Sequence, residues 1–242
     1  MDKQTYSLIE NRMLSCMTDS AHDKEHVYRV LYTALDIAKH EADVDYDILI
    51  CACLLHDIGR QDQFENPSVC HAEAGSEKAY RFLTENGFDK TFSEAVSKCI
   101  LTHRFRKNRQ PESLEAKILF DADKLDVAGA LGIARTLIYK GQVTEPLYSL
   151  TEDGLVSAGE NDRSPSFFQE YHYKLKNIYG SFYTTRGKEL AEKRRQAASD
   201  FYNAIFNEVS SAYKNGSSYL EDLASPKRME LMIKPISPIK SQ

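Results

Sequence analysis

The chain has no long apolar run. Its longest, Ile48–Leu55, is eight residues, far short of a membrane span. It has no strand-like alternation of useful length and no internal repeat, which excludes β-rich and solenoid architectures. The first 66 residues contain no proline and a single glycine, Gly59, so nothing there interrupts helices. The start, Met1-Asp2-Lys3-Gln4, lacks a basic stretch followed by an apolar one, so no secretory signal is expected. Cysteine is scarce and odd in number: Cys16, Cys51, Cys53, Cys70 and Cys99. Reduced thiols in a cytoplasm are the expectation. Positive charge is in deficit, with 31 Lys+Arg against 36 Asp+Glu and a net charge of −5. That balance disfavours a general nucleic-acid binder.

What remains is 242 residues, 42% hydrophobic and 28% charged, enough for a sizeable globular core. Val27, Val30, Leu31, Ala34, Leu35 and Ala38 recur at helical spacing, with Asp19 or Ser20 as the expected cap. Asp45 or Asp47 caps the next helix, which runs through Ile48–Leu55 and stops near Gly59. It is apolar nearly all round and should form the buried centre. Residues 61–70 read as a polar loop. Helices are expected at about 71–85, ended by Asn86-Gly87, and at about 92–104. Residues 113–140 read as mostly helical, with Gly129 and Gly132 signalling close packing. A loop-like stretch (141–166) precedes two helices within 167–209, broken near 183–187. The expected class is all-α. One domain should span 1–216, with a core at about 20–140 and C-terminal helices at about 165–212. Residues 217–242 should form a partly ordered tail.

Histidine is also sparse, and four of the seven fall in distinctive places. His26 lies in a helix. His56 precedes Asp57 at the end of the most apolar helix. His71 opens a helix and His103 ends one. A fifth element, Asp121-Ala122-Asp123-Lys124-Leu125-Asp126, puts carboxylates inside an apolar segment. Burying an unpaired imidazole or carboxylate costs roughly 2–7 kcal/mol, and more for a charge. A bound divalent cation removes that cost for His56 and Asp57 together. The donors are nitrogen and oxygen, which suit Mn, Fe, Co, Zn or Mg. Cys51 and Cys53 read as small buried core residues.

His26 in His-Val-x-Arg-Val, Leu-His56-Asp57-Ile-Gly, and Ala-Asp123-Lys-Leu together resemble the H…HD…D pattern of the HD-domain metal-dependent phosphohydrolase superfamily. The stretch from Glu115 to Thr136 and the later Thr185, Lys188, Ala191 and Arg194 resemble the single-domain bacterial branch that includes nucleotide pyrophosphohydrolases. The resemblance covers roughly residues 5–210. It implies an HD-domain helical bundle with additional C-terminal helices packed on it. It implies His26, His56, Asp57 and Asp123 as metal ligands. Asp123 is preferred to Asp121 and Asp126 because it directly precedes Lys-Leu. His71 and His103 resemble the extra histidines of two-metal HD proteins, so one ion or two is left open. The implied chemistry is metal-assisted hydrolysis of a phosphate ester or anhydride, with a nucleotide as the expected small-molecule substrate. The ion acidifies a water and polarises a phosphoryl oxygen, and Asp57 holds the attacking water. Arg60, Lys124 and Arg104 are the candidate phosphate contacts, with Arg106 beside them. His22 shares a face with His26, and Arg29 is read as a structural ion-pair residue. The alternative is a non-catalytic HD module binding a metal and a small phosphorylated ligand. A nuclease would need the basic stretch at Arg104, Arg106, Lys107 and Arg109. Oligomeric state is not legible.

Overall fold

The eight-residue apolar run folds as the inner helix of the bundle in the computed structural model, which describes residues 1–17, 24–104 and 109–224. This helix, α3 (Tyr46–Leu55), follows α1 (Lys3–Cys16) and α2 (Lys24–Ala38). Its N-cap is Asp45, whose carboxylate accepts from the backbone N–H of Asp47 and Ile48 at 3.0 and 3.1 Å. Leu49 and every residue from Cys51 to Leu55 are fully buried. Helices α1 and α2 pack around α3, as do α6 (Lys90–Thr102) and α7 (Leu114–Leu125). A helix surrounded on all sides gains from being apolar on all sides, which explains its composition. Asp19, Ser20, His22, Arg106 and Lys107 lie outside the described residues.

Three features depart from the sequence reading. Residues 61–70 are not all loop: α4 (Arg60–Glu65) is a short helix with no buried residue, so it leaves no apolar periodicity to detect. The 113–140 segment is two helices, α7 and α8 (Gly129–Gln142). Gly129 at φ +69° takes a left-handed conformation that breaks the run, while Gly132 lies against the Val127 carbonyl. Third, α10 (Thr185–Ala224) continues past the boundary expected at 216. No proline interrupts it before Pro226, and Gly216 is tolerated inside the helix.

The C-terminal elements pack on the bundle. They comprise α9 (Phe167–Glu170), a wider π turn (Tyr171–Leu175), a tight turn (Ile178–Gly180) and α10. The carboxylate of Asp121 on α7 accepts from the N–H of Tyr183 and of Thr184 and from the Thr184 hydroxyl, at 2.7–2.9 Å. Asp121 therefore anchors the chain entering α10. Tyr179 accepts from the Gly129 N–H at 3.1 Å, and Tyr171 stacks on Tyr202 with centroids 4.1 Å apart. Among the described residues, β-structure is limited to isolated bridging, as at Leu150 and Val156. The fold is all-α, and among the described residues no helix is long and apolar enough to cross a membrane.

Candidate metal centre

The end of α3, the starts of α4 and α5 (His71–Glu85), the end of α6 and the end of α7 converge behind one another. Gly59 and Gly75 make this convergence tight. A Cβ on Gly59 would stand 2.3 Å from the His71 carbonyl oxygen and 2.4 Å from the Gly75 nitrogen. The polypeptide leaving α3 therefore touches the first turn of α5 backbone to backbone, and His71 is pulled beside His56 and Asp57.

Two groups of donors result. His26, His56 and Asp123 form one; Asp57, His71 and His103 form the other. The Nε2 atoms of His26 and His56 are 3.3 Å apart, and those of His71 and His103 are 3.2 Å apart. Ligand atoms bound at ~2.1 Å to a shared ion stand roughly 3.0–3.4 Å from each other, so both pairs suit a metal. Asp57 lies between the groups. Its Oδ2 is 3.5 Å from His26 Nε2 and 3.6 Å from His56 Nε2. Its Oδ1 is 3.6 Å from His71 Nε2 and 3.7 Å from His103 Nε2. Asp123 Oδ1 is 3.4 Å from His26 Nε2, and its side chain is 22% exposed, which marks the open side of the centre.

Each of the four rings is fixed from behind. His56 Nδ1 donates to the Cys53 carbonyl at 2.7 Å and His103 Nδ1 to the Ile100 carbonyl at 2.6 Å. His71 Nδ1 is 2.6 Å from Gln63 Oε1, and His26 Nδ1 is 2.7 Å from Asp126 Oδ2. With each Nδ1 turned to a partner behind the ring, every Nε2 faces into the centre, the orientation of metal-bound imidazoles. Asp57 Oδ2 is buried and has no hydrogen-bond partner. An orphaned buried carboxylate oxygen facing two imidazole nitrogens fits a cation.

The charge environment differs between the groups. Burial disfavours a proton on His26, but Asp123, Asp126 and Asp57 outweigh it and raise its pKa to about 10. Burial and Arg60 push His71 down to about 2, and burial and His56 push His103 down to about 4, so both stay neutral. Burial alone would raise the carboxyl of Asp57; Arg60 and His56 hold it well below the usual range instead. Asp123 is lowered in the same way, chiefly by His26.

The structure gives the three carboxylates of the 121–126 run separate neighbours. Asp123 joins the centre, Asp121 holds the C-terminal segment, and Asp126 stands behind His26. Sequence reasoning missed the part played by Asp126, which also accepts from Arg29 Nε at 2.8 Å and pairs with Arg135. It missed Gln63 as well. The detectable signal was the spacing of Asp126, one turn after Asp123 near the end of α7. Among the candidate phosphate contacts, Arg60 Nε donates to Asp57 Oδ1 at 2.9 Å. Arg104 Nη1 is 3.3 Å from His71 Nδ1, and the Lys124 ammonium sits 4.5 Å above the Phe120 ring. Arg109 turns away to pair with Glu73. His40 and His172 lie elsewhere, near Asp36 and Glu160. Cys51, Cys53 and Cys99 are buried free thiols.

Because Asp126 holds the His26 ring from behind, Asp126→Asn should weaken metal binding by about 10–100-fold while leaving the helical content unchanged. Chelator competition together with circular dichroism measures both.

Helical bundle and paired imidazole–carboxylate groups define an all-α protein with a metal-type centre. Residues 24–128 match the HD domain family. The chain is 31% identical to a predicted HD superfamily hydrolase from an uncultured Thermotogales bacterium. The crystal structure of that protein superposes with a TM-score of 0.56, over 85% of this chain and 92% of the other. It is 28% identical over 201 residues to the uncharacterized protein YpgQ of Bacillus subtilis, covering 81% of this chain and 89% of YpgQ. A structure of YpgQ in complex with ADP shares the fold at 24% identity and a TM-score of 0.66, over 84% and 97% of the two chains. The chain belongs to the HD superfamily.

Proposed function

We propose that this protein is a divalent-metal phosphohydrolase that cleaves a phosphate ester or anhydride of a nucleotide, within a single HD-type domain that includes α10. The observation that carries the reading is the placement of Asp57, with one carboxylate oxygen toward each of two imidazole pairs. His26, His56 and Asp123 would hold one ion, His71 and His103 a second, and Asp57 would reach both. When bound, such ions acidify a coordinated water and polarise a phosphoryl oxygen. Asp57 would also position the attacking water. Arg60 and Arg104 touch donors of the centre, and Lys124 follows Asp123 in the chain; together they would supply the positive charge that phosphate oxygens require. The ADP bound to YpgQ supports a nucleotide as the ligand class.

The test is phosphate and pyrophosphate release from a panel of nucleoside mono-, di- and triphosphates, with Mn, Fe, Co, Zn or Mg supplied in turn. Turnover should require the metal and stop on chelation. Absence of turnover with every metal, together with metal-independent nucleotide binding, would establish the non-catalytic HD module instead.

A further inference from the structure

The two halves of the centre are unequal, and the inequality lies in Asp57 and its neighbours. The half with His26 and His56 has a carboxylate of its own, Asp123, and a second carboxylate behind His26, Asp126. It also faces Asp57 Oδ2, the buried oxygen with no hydrogen-bond partner. Among the described residues, the half with His71 and His103 has only Asp57 as its carboxylate, and shares it with the other half. It faces Asp57 Oδ1, which already accepts from Arg60 Nε at 2.9 Å. A guanidinium and a divalent cation on one carboxylate oxygen repel each other, and at close range this repulsion is only partly screened. Arg104 adds positive charge on the same side, 3.3 Å from His71 Nδ1.

Arg60 is suited to moving. Its side chain is 28% exposed and it begins α4, one helical turn after Asp57. A guanidinium binds phosphate oxygens with the same forked geometry that it uses on a carboxylate. An anion at the open side of the centre therefore offers Arg60 an equivalent partner and leaves Asp57 Oδ1 to a metal.

Building on the phosphohydrolase reading, we infer that the two subsites load in order. The His26–His56–Asp123 subsite fills first. The His71–His103 subsite fills fully only when a phosphate anion takes Arg60 from Asp57. Arg60 is then a positioning residue that couples the substrate's phosphate to the second ion. Linkage makes the coupling reciprocal: phosphate tightens the second ion by the factor by which the second ion tightens phosphate.

The experiment is calorimetric titration of metal-stripped full-length protein with Mn²⁺, with and without millimolar inorganic phosphate, corrected for the ion that phosphate itself binds. Without phosphate, the second ion should bind at least about tenfold more weakly than the first, and phosphate should close most of that gap. Arg60→Gln should tighten the second step about tenfold without phosphate and remove most of the phosphate effect. His71→Ala should abolish the second step in both conditions. Two equal, phosphate-independent steps in the wild type would overturn the ordering, whatever the behaviour of the variants. So would an Arg60→Gln protein whose second step stays weak and phosphate-dependent. If the wild type binds no ion, or His26→Ala retains both, the metallohydrolase reading itself fails.

Discussion

Asp57→Ala is expected to empty both metal subsites and to reduce hydrolysis by about a thousandfold or more, equivalent to about 4 kcal/mol of transition-state stabilisation. The reason is geometric. Between them the two oxygens of Asp57 stand 3.5–3.7 Å from all four Nε2 atoms, two on each side. Without that carboxylate the second pair of histidines has no anionic donor, and Arg60 is left beside it without its partner. His56→Ala should be nearly as severe, because its Nε2 faces both His26 Nε2 and Asp57 Oδ2 in the middle of the His26–His56–Asp123 half. Elemental analysis of the purified variants, paired with activity assays, reads both effects. An Asp57→Ala protein that kept full metal occupancy would show that the centre is assembled elsewhere.

The second large effect is on stability, at a residue that offers no donor at all. Gly59→Ala is expected to cost at least about 3 kcal/mol, and roughly 6–12 °C in melting temperature for a domain of this size. The new methyl group would meet the His71 carbonyl and the Gly75 nitrogen, both backbone atoms that cannot rotate aside. Helix α5 would have to move, carrying His71 away from His103 and Asp57. The variant should therefore lose occupancy at the His71–His103 pair even where it still folds. Thermal melts and metal analysis on the same sample separate the two consequences.

Much of this was legible in the sequence where local chemistry was strong. Eight consecutive apolar residues could be satisfied only at the centre of a bundle, and α3 occupies that place. A cap at Asp45 or Asp47 and the stop at Asn86-Gly87, where Gly87 has φ +81°, followed from residue type, and the fold selects Asp45. His56 and Asp57 stood out because polar groups at the end of a buried helix demand a partner. What stayed hidden depends on contacts across the chain. His26 and Asp126 are 100 residues apart, so the carboxylate behind that ring could not be paired in advance. Gln63 lies on α4, a helix too short and too exposed to leave a periodic signature. By residue type and position Gly129 reads as a packing glycine within one helix. It does pack, against Arg194, but its positive φ also breaks the segment. The division of six donors into two groups was equally invisible, because it rests on which oxygen of Asp57 faces which ring.

The central claim is that one carboxylate serves two metal subsites, and metal stoichiometry tests it most directly. Protein loaded with Mn²⁺ in the presence of phosphate and freed of excess ion should contain two ions per chain. His71→Ala should contain one and Asp57→Ala none. One ion per chain in the wild type, unchanged by His71→Ala, would contradict it.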